Sequence, residues 1–293
     1  MKPSQSVIAA IRGLDYHCRI WGNPRAPIIV LLHGFQDVSA SWQFTVDALQ
    51  GDWFVVAPDW RGYGLTQWSG ADAYWFPDYL GDLDALLDEF SLDAPVNLVG
   101  HSMGGNVGGL YAGVRPERVR RFVNIEGFGI GGRRQESAPK RLARWLDELK
   151  DDGGQRAYDS FEEFAARMRA ENPRLTEERA RFLAEHWGRE DEEQGIVRRA
   201  DPAHKRSNPT PTTTDDLLAC WREVTAPVLW IEGAQSGLIA RIARNPEEYE
   251  ARKAAIADLV IERIEGAGHN VHHDQPEQLA AAIERFLTAQ VNA

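Results

Sequence analysis

Apolar runs of five or six residues recur along the first half of the chain. Each is bounded by turn residues and followed by a stretch with helical spacing. Ile28-Ile29-Val30-Leu31-Leu32 is apolar throughout, and Pro95-Val96-Asn97-Leu98-Val99 nearly so. The pattern predicts strands over 27–32, 53–58, 95–100 and 119–126, with helices near 41–49, 77–90 and 103–114. Residues 6–21 read as an opening antiparallel pair, turned at Arg12-Gly13-Leu14-Asp15. Strands alternating with helices imply a mostly parallel sheet flanked by helices, an α/β architecture.

The alternation breaks at Gly127-Phe128-Gly129-Ile130-Gly131-Gly132, a hinge-like stretch. Residues 133–214 carry most of the charge runs and lack apolar strands, while 141–149, 161–170 and 176–187 show helical spacing. Asn208-Pro209-Thr210-Pro211-Thr212-Thr213-Thr214 reads as a linker back to the core. Two further strands follow, Pro227 to Glu232 and Leu259 to Ile264. The expected organisation is a core of residues 1–132 and 215–293 with a helical cap at 133–214 inserted in it. An insertion of roughly 80 residues far exceeds an ordinary connection, although some of its helices could simply brace the sheet.

Gly100-His101-Ser102-Met103-Gly104 joins the strand at 95–100 to the helix at 103–114. Strand, Gly-x-Ser-x-Gly, helix is the signature of a nucleophile elbow. The turn is sharp enough to strain the serine backbone, and the glycines stand where a Cβ would strike neighbouring backbone. Ser102 is the expected nucleophile, held at a helix N-terminus that favours developing negative charge. His101 inside the elbow is expected to pack behind it. Upstream, the apolar strand ends in His33-Gly34-Phe35-Gln36, a turn that offers the Phe35 amide as an oxyanion donor beside that of Met103. Downstream, Gly266-Ala267-Gly268-His269 places a histidine on a loop after the last strand, suited to general base and then acid chemistry.

These residues resemble the α/β-hydrolase superfamily over nearly the whole chain. Pro58-Asp59-Trp60-Arg61-Gly62-Tyr63-Gly64 resembles the family's Asp-x-Arg-Gly-x-Gly turn, and Asp274-Gln275-Pro276-Glu277 the start of its last helix. The segment layout is similar to that of the serine hydrolase-like proteins, a capped esterase-type subgroup. The resemblance implies an α/β-hydrolase fold, no cofactor, and a cap that covers the serine and shapes the acyl pocket. Dehalogenases and epoxide hydrolases of this fold carry an aspartate where Ser102 stands. A serine forms an acyl-enzyme instead, so carbon–halogen cleavage is not expected.

One position departs from the family pattern. The resemblance implies a catalytic aspartate after the penultimate main strand, yet Gly233-Ala234-Gln235-Ser236 offers only a hydroxyl there. Glu126 is the best substitute, because it ends the strand beside the elbow and parallel strands meet at one carboxyl edge. Some haloalkane dehalogenases take their acid from the end of this strand. Glu126 could alternatively cap the entry to the insertion or pair with Arg133 or Arg134. Glu232 and Asp274 are the other candidate acids. On this reading Ser236 contributes little, and its replacement by alanine is expected to be nearly silent.

Composition narrows the function classes. The chain has 293 residues, 43% of them hydrophobic, and no run approaches the roughly 20 apolar residues of a membrane span. The N-terminus shows no signal-peptide core, so a cytoplasmic location is expected. A net charge of −11 argues against nucleic acid and disfavours strongly anionic substrates, although a local arginine cluster could override that average. Cys18 and Cys220 lie in no paired motif, and His269, His272 and His273 match no metal-ligand spacing, so neither metal nor disulfide is expected. Most of the ten tryptophans should be core; Trp42 and Trp60, and on the insertion Trp145 and Trp187, are candidates to line a substrate pocket. The expected activity is cleavage of a small carboxylic ester, thioester or lactone by Ser102, His269 and Glu126. Carbon–carbon bond hydrolysis, cofactor-free perhydrolysis, and a slow ligand sensor on the same fold are the alternatives. Oligomeric state is not legible.

Overall fold

The computed structural model describes residues 1–129, 137–151 and 154–289. Its main sheet has eight strands: β1 (Gln5–Ile11), β2 (Leu14–Trp21), β3 (Ile28–Leu32), β4 (Phe54–Pro58), β5 (Val96–His101), β6 (Val119–Ile125), β9 (Val228–Gly233) and β10 (Leu259–Ile264). Between β6 and β9 a short antiparallel pair, β7 (Gly188–Asp191) and β8 (Gly195–Arg198), forms a second sheet. The spatial order of the main sheet is β1-β2-β4-β3-β5-β6-β9-β10. Only β2 runs antiparallel to its neighbours; β4, β3, β5, β6, β9 and β10 are mutually parallel.

The period-two alternation of side chains divides the apolar strands between two cores. Leu98, Phe122 and Trp230 face one side, where they pack with Val107, Leu110 and Tyr111 of helix Met103–Val114 and with Trp221 of helix Thr214–Arg222. Val99, Val123, Leu229 and Ile231 face the other, against Val46 and the helix Pro276–Thr288, which buries Leu279 and Ile283. Covering both faces of the parallel strands leaves their carboxyl ends as the free edge, where loops can carry chemistry.

The chain between β6 and β9 supplies helices Ala138–Glu148, Phe161–Glu171 and Glu177–Trp187, near the three stretches that helical spacing marked. The β7–β8 hairpin was not expected there. Its strands are four residues each, with Ile196 and Val197 their only buried aliphatic pair, too short a run for a periodicity signal. Phe164, Met168, Ala180 and Leu183 build a small core of their own with Ile196. The linker ends in a capping box in which Thr213 and Asp216 satisfy each other's backbone amides, starting helix Thr214–Arg222. The expected core–insertion boundary at 132/133 and Arg133 and Arg134 lie outside the described residues.

Candidate active site

Five loops at the carboxyl edge of the sheet converge. The elbow after β5 holds Ser102 at φ 51°, ψ −110°, a conformation that non-glycine residues rarely adopt. Added Cβ atoms at Gly100 and Gly104 would strike the backbone of Gly104 and of Leu32, respectively, so both positions exclude any side chain. The Ser102 amide donates to Ile125 O at 2.8 Å, tying the elbow to the end of β6.

The next residue of that strand end, Glu126, is also left-handed, at φ 57°. Its amide donates to Ile231 O of β9 at 3.0 Å, and Asn124 clamps the turn through hydrogen bonds of 3.0 and 2.7 Å with the Gly127 backbone. The strained turn aims the carboxylate along the sheet edge. There Glu126 Oε1 accepts the Gly233 amide at 2.7 Å, and Oε2 accepts the Ser236 hydroxyl at 2.6 Å. The same Oε2 lies 3.0 Å from His269 Nδ1, and His269 Nε2 lies 3.0 Å from Ser102 Oγ. With Nδ1–H donating to the carboxylate, Nε2 is the lone-pair nitrogen facing the serine hydroxyl. Glu126 is fully buried, whereas the His269 side chain is 37% exposed, so the chain of contacts runs from the interior toward solvent.

The loop carrying His269 is fixed on several sides. His101 Nε2 donates to His269 O at 2.9 Å, which holds the elbow histidine against the His269 loop. Burial drives His101 well below its ordinary pKa, so it stays neutral. Asp274 accepts the Gly268 amide at 2.8 Å and reaches Arg174 Nε at 2.7 Å and Asn172 at 2.6 Å, fastening the loop to the insertion. Glu232 is engaged elsewhere, by the Tyr249 hydroxyl and by Arg263 at 3.2 Å. Neither of these two acids contacts His269.

Ser236 requires a correction. Sequence reasoning treats it as a vacancy; the structure places its hydroxyl on the carboxylate oxygen that also faces His269. No sequence signal announces this, because the partner lies 110 residues away on a neighbouring strand.

The loop after β3 approaches the elbow closely. A Cβ on Gly34 would sit 2.8 Å from His101 Nδ1 and 3.3 Å from Ser102 Cβ, so glycine permits the approach. Phe35 follows, 52% exposed, and Met103 opens the helix whose first amides have no intrahelical acceptor. Trp60 and Trp42 are fully buried beneath this loop. The Trp60 indole donates to His33 O at 3.0 Å, and Trp42 packs on His272 with ring centroids 4.9 Å apart. They brace the loop from behind. Trp187 donates to Ser41 Oγ at 2.9 Å across the seam with the insertion, and Trp145 lies half-buried on helix Ala138–Glu148.

Among the described residues, Asp37, His101 and His272 are a trio whose potential ligand atoms lie within 4.8 Å of one another. His272 already donates to Asp37 at 3.1 Å, and burial pushes its pKa to about 3. Within the trio His101 only packs on His272, with ring centroids 4.3 Å apart, and the Nδ1 atoms of both rings are buried without a hydrogen-bond partner among the described residues.

This fold and edge define a hydrolase scaffold, and comparison with known proteins agrees. The family described as alpha/beta hydrolase fold matches residues 27–276, and the chain belongs to it. A serine hydrolase-like protein of Danio rerio is 27% identical over 281 residues, covering 93% of this chain and 85% of its own length. A 3-hydroxybutyrate-oligomer hydrolase of Cupriavidus necator is 28% identical over 302 residues, covering 96% of this chain and 95% of its own. Among solved structures, a thioesterase domain from the curacin biosynthetic pathway superposes with a TM-score of 0.84 at 24% identity, covering 96% of this chain and 99% of that one. No helix among the described residues is long and apolar enough to cross a membrane.

Proposed function

We propose that this chain is a serine hydrolase that cleaves a carboxylic ester of modest size through an acyl-enzyme. The carrying observation is the continuous series of contacts from Ser102 Oγ through His269 to Glu126, at 3.0 Å each. Ser102 Oγ attacks the substrate carbonyl as His269 Nε2 takes its proton, and the buried Glu126 carboxylate stabilises the imidazolium. The Phe35 and Met103 amides receive the oxyanion. Collapse breaks the acyl–oxygen bond, and the departing alkoxide takes the proton from His269. Water, deprotonated by the same nitrogen, then hydrolyses the acyl-Ser102 ester and frees the acid. The helices between β6 and β9 act as the cap over this edge. The sensor alternative drew on the missing acid at Ser236, and the Glu126 contact favours catalysis over it.

Burst kinetics with p-nitrophenyl acetate and butyrate test the reading. Wild type should release a stoichiometric burst, and Ser102→Ala should release none. Glu126→Gln should lower kcat by about 10⁴, the scale known for loss of a triad acid. An unchanged rate in Ser102→Ala refutes the proposal.

A further inference from the structure

Beside the loop that carries Phe35 lies a cavity of about 70 Å³, walled by Gln36, Gln155, Arg156, Arg198, Asp201 and Lys205 among others. Three of these side chains are cations, and none of the three forms an ion pair among the described residues. That is unexpected in a chain with 44 acidic and 33 basic residues, where carboxylates are in excess. The single acid in the wall is already engaged: Asp201 accepts the Tyr74 hydroxyl at 2.8 Å and the Ala203 amide at 2.9 Å.

Arg198 is the most constrained of the three. Its guanidinium lies 5.0 Å from the ring centroids of both Phe164 and Trp187. Stacking uses the faces of a guanidinium and leaves its edge for hydrogen bonds, one of them with the Tyr158 side chain and others open to a carboxylate. One such donor approaches Gln36 O at 3.4 Å, which ties Arg198 to the residue after Phe35. Asp37, the nearest acid on that loop, is occupied by the Val38 amide, Ser41 and His272. Among the described residues Lys205 meets a carbonyl, Gly154 O at 3.5 Å, and Arg156 stacks on Tyr158. The cavity has room for a group the size of a carboxylate, given that a water occupies about 30 Å³ in the liquid.

Its position relates it to the nucleophile. Gly34 abuts Ser102, and the two residues from Gly34 to Gln36 span at most roughly 7 Å, so the Gln36 wall of the cavity lies within on the order of 10 Å of the serine. We infer that Arg198, with Arg156 and Lys205, forms a subsite for a carboxylate at the far end of the acyl chain. The preferred substrate is therefore the monoester of a dicarboxylic acid or a similarly anionic acyl group. This rests on the hydrolase reading above and is the case, left open by the sequence, in which a local arginine cluster overrides the net charge.

The test compares p-nitrophenyl monoesters of succinate, glutarate, adipate and suberate with neutral alkanoyl esters of matched length. Wild type should favour the charged ester at one chain length by on the order of tenfold to a hundredfold in kcat/KM, the scale of one charged hydrogen-bonded contact. That charged-to-neutral ratio should collapse in Arg198→Met, fall in Lys205→Gln and partly return in Arg198→Lys. Arg198 also packs on two rings, so Lys205→Gln keeps the proposal testable should Arg198→Met unfold. Turnover of both ester series with no preference, or a preference untouched by all three variants, overturns the subsite alone. No turnover of either series overturns the hydrolase reading and the subsite with it.

Discussion

At the scale of single residues, the arrangement around Glu126 Oε2 makes the sharpest demands. That atom faces both His269 and the Ser236 hydroxyl, so Ser236 fixes the carboxylate lone pair that the histidine does not use. Ser236→Ala should therefore lower kcat on the order of tenfold with KM little changed, and Ser236→Thr should restore most of the loss. An unchanged kcat in Ser236→Ala would remove Ser236 from the positioning machinery. Ser102 and Glu126 could be picked out as candidates because each directly follows a strand, and His269 because it lies on a glycine-containing loop after the last strand. Ser236 and Arg198 could not, since their meaning comes from partners that only the fold brings near.

At the scale of elements, the loop with His269 is fastened to the chain between β6 and β9. Asp274 joins the Gly268 amide to Arg174 and Asn172, and Arg179 adds contacts to His273 O at 3.1 Å and Glu277 at 2.9 Å. Asp274→Ala leaves a buried amide and a guanidinium without their acceptor. It should lower unfolding free energy by on the order of 3 kcal/mol, read from urea melts, and reduce kcat because the base is no longer held. A stable variant with normal kcat would show that the insertion does not position the histidine. The strands and helices of the core were legible from periodicity because burial on both faces makes their apolar runs continuous. The β7–β8 hairpin escaped because it depends on Gly188 and Gly195 and on packing against Tyr158, through backbone bonds of 2.8 and 2.9 Å with Ile196.

At the scale of the whole molecule, buried neutral histidines set the acid limit of stability. Burial lowers the pKa of His33 and His101 and holds His204, His272 and His273 at about 3. The unfolded chain binds these protons near pH 6.5, so it gains protons that the fold refuses as pH falls below that value. Stability should therefore decline between about pH 6.5 and pH 3, by about 1.4 kcal/mol per pH unit for each proton taken up only on unfolding. Asp59 acts at the lower end of this range. Although burial alone would raise it, the His17 contact at 2.7 Å holds its pKa at about 2, so its contribution is lost as pH falls toward that value. Urea midpoints measured from pH 7 to pH 4 check the sign; a flat profile would mean that these rings are solvated.

Glu126 and Ser236 emerge from adjacent strands, β6 and β9, yet meet at one point beside His269. The position beside His269 is thus within reach of side chains from either strand end. That makes the acid portable: a lineage could pass it from one strand to the next through a form that carries both, without ever losing the base's partner. The same portability is open to the bench. Glu126→Gln combined with Ser236→Asp should recover a large part of the activity that Glu126→Gln alone destroys, and failure to recover any would show that the strained turn at Glu126 contributes more than a negative charge.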